Sequence, residues 1–186
     1  MRQFIKKAVS TLTVASTMLW SVGIAAVPTA SAVSAGALIK ASGAAVYYYG
    51  SDGKRYVFPN EATYKTWYVN FSSVITITDS ELAAIQIGGN VTLRPGVKMG
   101  KITTDPKVYA VAMGGELRWI QTEAIASALY GASWASMVLD IPDAFFAGNY
   151  TIGAAITSAS DYSSAQAMAG SPDIATDLGL SVTGPV

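Results

Sequence analysis

The sequence predicts an α+β fold: two tandem copies of a small β-hairpin–helix–strand unit packed together, followed by a flexible C-terminal tail. Three observations carry this expectation. Short β-branched and aromatic runs, broken by Gly-containing turns, alternate with capped helical stretches. Similar residues recur at a spacing of 62 positions. After residue 153 the composition changes, with no Lys or Arg, a single aromatic (Tyr162), and many Ala, Ser and Gly. The expected segments are a leader (1–32), a linker (33–37), a first unit (38–98), a second unit (99–153) and a low-complexity tail (154–186).

The leader reads as a secretory signal peptide. Arg2, Lys6 and Lys7 form a positive front end, Ala8 to Val27 carries no charge, and Ala30-Ser31-Ala32 after Pro28 gives the small-x-small cleavage pattern. The competing reading is a retained anchor, since that uncharged stretch approaches the ~20 residues that span a bilayer. Its Ser and Thr content and the cleavage pattern favour removal, so no retained membrane span is expected.

In the first unit, Ala45–Tyr49 and Lys54–Phe58 flank Gly50-Ser51-Asp52-Gly53, which predicts a hairpin. Asn60 is placed to cap a short helix over Glu61–Tyr68. Val74–Thr78 alternates as a strand, and Thr78-Asp79-Ser80-Glu81 has capping-box spacing. The second unit repeats the plan. Lys107–Met113 and Glu116–Ile120 flank Gly114-Gly115, Thr122 caps Glu123–Tyr130, and Asp140 with Asp143 forms an acidic version of the box, with Pro142 suited to a first turn. Short extended pieces, Val91–Leu93 and Tyr150–Ile152, close the two units. The spacing of 62 pairs Val46-Tyr47 with Val108-Tyr109, Gly53 with Gly115, Glu61 with Glu123, Tyr68 with Tyr130, Thr78 with Asp140 and Glu81 with Asp143. A unit of about sixty residues buries little surface alone, so the copies are expected to pack on one another. The tail, with Asp161, Asp173 and Asp177, reads as a solvated extension. Its apolar stretch Ala175–Val182 could instead add a strand or helix to a neighbouring molecule.

Composition narrows the chemistry. The chain of 186 residues has no His and no Cys, so imidazole-based triads, cysteine nucleophiles, disulfides and Cys-type metal sites drop out. Without its leader the chain carries a net charge of −3, which argues against nucleic acid as a partner. Scattered aspartates without a calcium-loop pattern predict no metal, and Gly88-Gly89 and Gly114-Gly115 read as turns, not nucleotide loops, so no cofactor is expected. A carboxylate-only hydrolase would need facing acids such as Glu61 with Glu81 or Glu123 with Asp143, but these sit at helix starts where acids serve the helix dipole. Asn70, Asn90 and Asn149 begin N-x-Ser/Thr sequons. Most of the crowded aromatics should fill a core. Tyr48, Tyr49, Tyr56 and Trp119 are the candidates for contact with a ligand or interface, with Tyr48 and Lys54 expected outermost.

The run Leu38-Ile39-Lys40, Ala45-Val46-Tyr47-Tyr48 and Gly53-Lys54-Arg55-Tyr56-Val57-Phe58-Pro59-Asn60, continuing through Val74 to Gly88, resembles a repeat module of uncharacterised exported surface proteins from bacterial candidate phyla. Val108–Ile152 is similar to the divergent partner found beside it, although it lacks the proline and the triple tyrosine of the first copy. The resemblance covers roughly residues 38–156 and implies a non-catalytic module of cell-surface or wall-associated proteins. The expected function is therefore that of a secreted or cell-surface structural protein engaged in adhesion or self-assembly, its partners being itself or other surface proteins. The alternative is a module that binds cell-wall or extracellular glycan through exposed aromatics.

Overall fold

The computed structural model describes residues 33–180; the expected signal peptide and the last six residues of the tail lie outside the described residues. Strand β1 (Leu38–Lys40) runs antiparallel to β2 (Tyr47–Tyr49), which runs antiparallel to β3 (Arg55–Val57). The outer strands β4 (Val74–Thr76) and β5 (Ile87–Asn90) pair in parallel with β1 and β3, giving the order β4-β1-β2-β3-β5. Five further strands repeat the plan: β6 (Met99–Ile102), β7 (Val108–Ala112), β8 (Glu116–Trp119), β9 (Val138–Ile141) and β10 (Thr151–Ile152). Their order is β9-β6-β7-β8-β10, again with three antiparallel inner strands and two parallel outer ones. The order and directions of the strands in the two sheets correspond.

Strand alternation decides which rings are buried. Tyr48 pairs with Tyr56 across the first hairpin, and both point into a core with Leu38, Phe58 and Tyr64. Tyr47 and Tyr49 therefore turn to the other face, where the Arg55 guanidinium lies 5.1 Å from the Tyr47 ring and donates to the Leu82 carbonyl. In the central strand β7, Tyr109, Ala110 and Val111 are all buried, because that sheet is covered on both faces.

The helices begin where side chains can satisfy free amides. Asn60 accepts from Thr63 N (2.8 Å) at the start of α1 (Glu61–Trp67). Before α2 (Asp79–Ala84), Thr78 and Glu81 form the reciprocal box: Glu81 N donates to Thr78 Oγ1 (3.2 Å) and Thr78 N to Glu81 Oε2 (2.8 Å). Thr122 accepts from Ile125 N (3.2 Å) before α3 (Glu123–Tyr130). The second unit departs from the expected acidic box. Asp140 belongs to β9 and pairs with Lys101, and Pro142 is the N-cap of α4 (Asp143–Phe146), its ring already holding φ at −60°. Asp143 instead accepts from the Thr104 hydroxyl (2.8 Å) and so ties α4 to the β6–β7 turn.

Two further expectations are corrected by the junction between the units. Val91–Leu93 is not the closing strand, a place taken by β5; it is a buried connector. Several polar groups along this connector find partners in both units. Val91 N donates to Val57 O (2.9 Å), Trp67 Nε1 to Thr92 O (2.8 Å), Leu93 N to Tyr150 Oη (2.9 Å) and Arg94 N to Thr66 Oγ1 (3.0 Å). Gly96 has φ +74° and lies so close to the Ser164 carbonyl that a side chain would collide with it.

Residues 154–180 likewise form no solvated extension. Ile156 N donates to Trp119 O (2.8 Å), continuing alongside β8, and Tyr162 Oη donates to Val111 O (2.7 Å). Two short helices follow, α5 (Ser164–Gly170) and α6 (Ile174–Asp177), and Ile174 enters the core of the first unit. The Ser and Asp residues that read as low complexity are caps: Ser158, Ser163 and Asp173 each accept an amide at a helical start.

Asp177, 4% exposed, closes the junction. Its carboxylate accepts from Gly114 N (3.0 Å), Ser171 Oγ (2.9 Å) and Thr92 Oγ1 (3.2 Å), joining the second unit, the tail and the connector. Burial raises its pKa against the pull of these three donors. Folding therefore takes up a proton more readily than unfolding, so this group's stabilisation is fully present below the ordinary aspartate range and is lost as pH rises through the raised value. Two outcomes are expected in urea unfolding from pH 3 to 8. Asp177→Ala, which strands three donors, loses about 2–4 kcal/mol. Asp177→Asn gains stability relative to the parent as pH rises, and the difference levels off above the raised pKa.

Candidate functional site

Two open grooves occupy corresponding places in the two units. The first, about 420 Å³, is lined by Ala44–Val46, Val57–Glu61, Tyr64, Phe71 and Phe145. The second, about 340 Å³, is lined by Pro106–Val108, Trp119–Glu123, Ala126 and Trp134. The segments 44–46, 57–61 and position 64 map onto 106–108, 119–123 and 126 at the same spacing of 62. Each groove thus lies where the start of a hairpin strand, the end of its neighbour and the first turns of the following helix meet.

Their chemistry differs position by position. In the first groove Tyr64 stacks on Phe71 (centroids 4.3 Å apart, planes at 17°) and Phe58 packs edge-on against Tyr64 at 5.0 Å, so the walls are apolar and aromatic. In the second, Ala126 stands where Tyr64 does, and Lys107, Gln121 and Thr122 replace Ala45, Pro59 and Asn60. Two partly exposed indoles, Trp119 and Trp134, complete a lining that is flat and apolar in places and hydrogen-bonding elsewhere.

Lys107 is held at this groove by its own turn. Asp105 Oδ1 accepts Lys107 N (3.0 Å), Asp105 Oδ2 accepts Tyr109 Oη (2.7 Å), and Lys107 Nζ lies 3.8 Å from the same oxygen and 5.3 Å from the Trp119 ring centre. The first unit carries the same Asp-x-Lys-x-Tyr arrangement one turn later in the plan. There Asp52 accepts Lys54 N (3.1 Å) and Tyr56 Oη (2.7 Å), with Lys54 Nζ at 3.7 Å. Burial, then the bonded carboxylate, pushes the Tyr109 and Tyr56 phenols up to about 12. Asp105 is lowered by the Lys107 amide and then by the Tyr109 hydroxyl.

Of the aromatics expected to meet a ligand, Trp119 lines one of these two grooves and the other three line neither, although the Tyr56 ring edges a separate pocket of about 220 Å³ beside Gly88, Gly89 and Asp177. Tyr48 (5% exposed) and Tyr56 (7%) are core residues, because alternation sends both inward. Tyr49 is half-buried on the opposite face, paired with Arg55. Lys54, also expected outermost, is exposed but tied to Asp52. Trp134, which opens a short 3-10 helix (Trp134–Met137) after α3, carries no such signal in the sequence, and only its 63-residue distance from Phe71 links it to the other groove.

The acids considered for hydrolysis have structural partners or stand apart. Glu61 pairs with Lys65 at 2.7 Å, Glu81 is held in its capping box and Asp143 by Thr104, while Glu123 lines the second groove. Among the described residues no group of three or more His, Cys, Asp or Glu converges to hold a metal ion, and no helix is long and apolar enough to cross a membrane. Asn70 is exposed, its side chain accepting from Ser72, whereas Asn149 donates to the Phe145 carbonyl (3.0 Å). No family model matches the chain, and neither a curated protein nor a solved structure is significantly similar to it.

Asp105→Asn removes the charge that holds the Tyr109 proton. With [13Cζ]tyrosine NMR, the expected outcome is one phenol titrating clearly earlier than in the parent while the Tyr56 signal keeps its midpoint.

Proposed function

We propose that the chain is an exported, non-catalytic interaction protein of the cell surface, built from two tandem copies of one module, whose second copy binds a saccharide in the Trp119–Trp134 groove. The observation that carries the saccharide assignment is the pair of indoles on the walls of an open groove whose remaining lining sets Lys107, Gln121, Thr122 and Glu123 among the apolar Pro106, Val108, Ile120 and Ala126. Sugar rings offer apolar C–H faces that stack on aromatic planes and hydroxyls that bond to side chains such as Gln121, Thr122, Glu123 and Lys107. The leader sequence supports export, and the absence of His and Cys, with most acids committed to caps and turns, supports a role without turnover. The common path of the two sheets and the matched grooves support duplication from one module, the second groove having an indole pair where the first has Phe and Tyr rings.

Co-sedimentation with peptidoglycan sacculi, chitin and cellulose tests this. The parent chain is expected to be retained on at least one of them. Trp119→Ala and Trp134→Ala, each checked for folding by circular dichroism, are expected to weaken retention about tenfold or more, as loss of one stacking partner does. Retention on none of the three, or retention unchanged in both variants, overturns the proposal.

A further inference from the structure

The two sheets have matching edges, but only one of them is guarded. On β9, Asp140 is exposed opposite Lys101, and Pro142 follows at once. On β4, the residue in the same register, opposite Lys40, is Thr76. Charge and proline are the usual means by which an edge strand avoids pairing with another chain. β4 has neither. From Ser72 to Thr78 the chain is free of charge, Pro and Gly and rich in β-branched residues. The other two edges are poor templates, since β10 is two residues long and β5 has a register shift and a Gly-Gly pair.

The backbone at this edge is open. β4 pairs with β1 on its inner side, where Ile77 N donates to Lys40 O (2.9 Å). Alternation then directs the amide and carbonyl of Thr76 to the outer side. Ile75 on the strand itself is 48% exposed, and Val69 and Phe71 just before the stretch are 91% and 43% exposed. An uncharged strand offers no charge for an acidic or basic peptide to recognise, but it meets no like-charge repulsion when it pairs with itself.

We propose that β4 is a self-association edge, on which the β4 strand of a second copy pairs antiparallel about a two-fold axis. Because Thr76 carries the outward amide and carbonyl, it stands opposite Thr76 of the second copy, the two exchanging both backbone hydrogen bonds, and Ile75 of each faces Ile77 of the other. Asp at this register, as β9 has it, would set two carboxylates directly opposite one another. That difference explains why one edge associates and its counterpart does not. The association is independent of the saccharide groove, which lies in the other unit.

The test is sedimentation velocity on the full chain over a hundredfold concentration range, beside Thr76→Asp and Ile75→Lys. Both positions are exposed, so the variants keep the fold. A concentration-dependent dimer is expected for the parent, with association weakened about tenfold or more in each variant. The chain's lack of cysteine permits a second readout. Thr76→Cys is expected to oxidise to a disulfide-linked dimer, the Cα separation of a hydrogen-bonded cross-strand pair (about 5.5 Å) lying within disulfide reach. Asp140→Cys on the guarded edge is expected to stay monomeric under the same oxidant. A parent that sediments as a monomer throughout, variants that associate as the parent does, or equal cross-linking at the two edges would each overturn the proposal.

Discussion

The structure depends on a buried seam in which side chains from both units, a phenol among them, satisfy the backbone that passes between the units, and a tail carboxylate holds the connector's Thr92 hydroxyl. A connector without regular structure is ordinarily a surface element, because water must satisfy its amides and carbonyls. Here Val91–Leu93 is buried, and the satisfaction comes from side chains drawn from both units: Trp67 and Thr66 from α1, and Tyr150 from just before β10. Asp177 completes the seam from the tail. Such groups are costly to bury and costlier to leave unmatched, so the seam favours the assembled arrangement over partly assembled ones.

Around that seam, the repeated frame and the divergent surface play different parts. Strand order, strand direction and the caps at Asn60 and Thr122 correspond in the two units, because they concern backbone geometry. Side chains facing outward have no such duty. Pro59 against Gln121 changes the lining of the two grooves and Thr76 against Asp140 separates an open edge from a guarded one, while the buried exchange of Tyr64 for Ala126 changes the packing behind the grooves. The Asp-x-Lys-x-Tyr turn falls between these classes. It appears in both units but on successive hairpin connections, bracing β3 in one and β7 in the other.

Much of the fold was legible in the sequence because its signals are local. Asp-Gly and Gly-Gly turns announced the hairpins, and the Asn60, Thr78–Glu81 and Thr122 caps announced three helices. The α+β class followed from these. Legibility failed where a residue's partner lay far along the chain. The tail's caps sit among small residues and look like a solvated segment until Ile156, Tyr162 and Ile174 are seen in their cores. Asp140 fitted a capping pattern that Pro142 makes unnecessary. For the site, the run Tyr47-Tyr48-Tyr49 drew attention by its density, yet a strand places its middle residue on the other face, and here that face is the core. Trp119 was visible as a candidate, but the groove around it is assembled from three separated segments.

Native-state hydrogen exchange at the seam is the most direct measurement. If the connector and tail are integral to a single cooperative structure, the amides of Leu93 and Gly114, which donate to Tyr150 and Asp177, exchange only by global unfolding. Their opening free energies then equal those of Tyr48 and Ala110 in the two sheets. Opening free energies for Leu93 and Gly114 several kcal/mol below those of the sheet amides would show that the units separate locally, and would contradict the dependence of the fold on this seam.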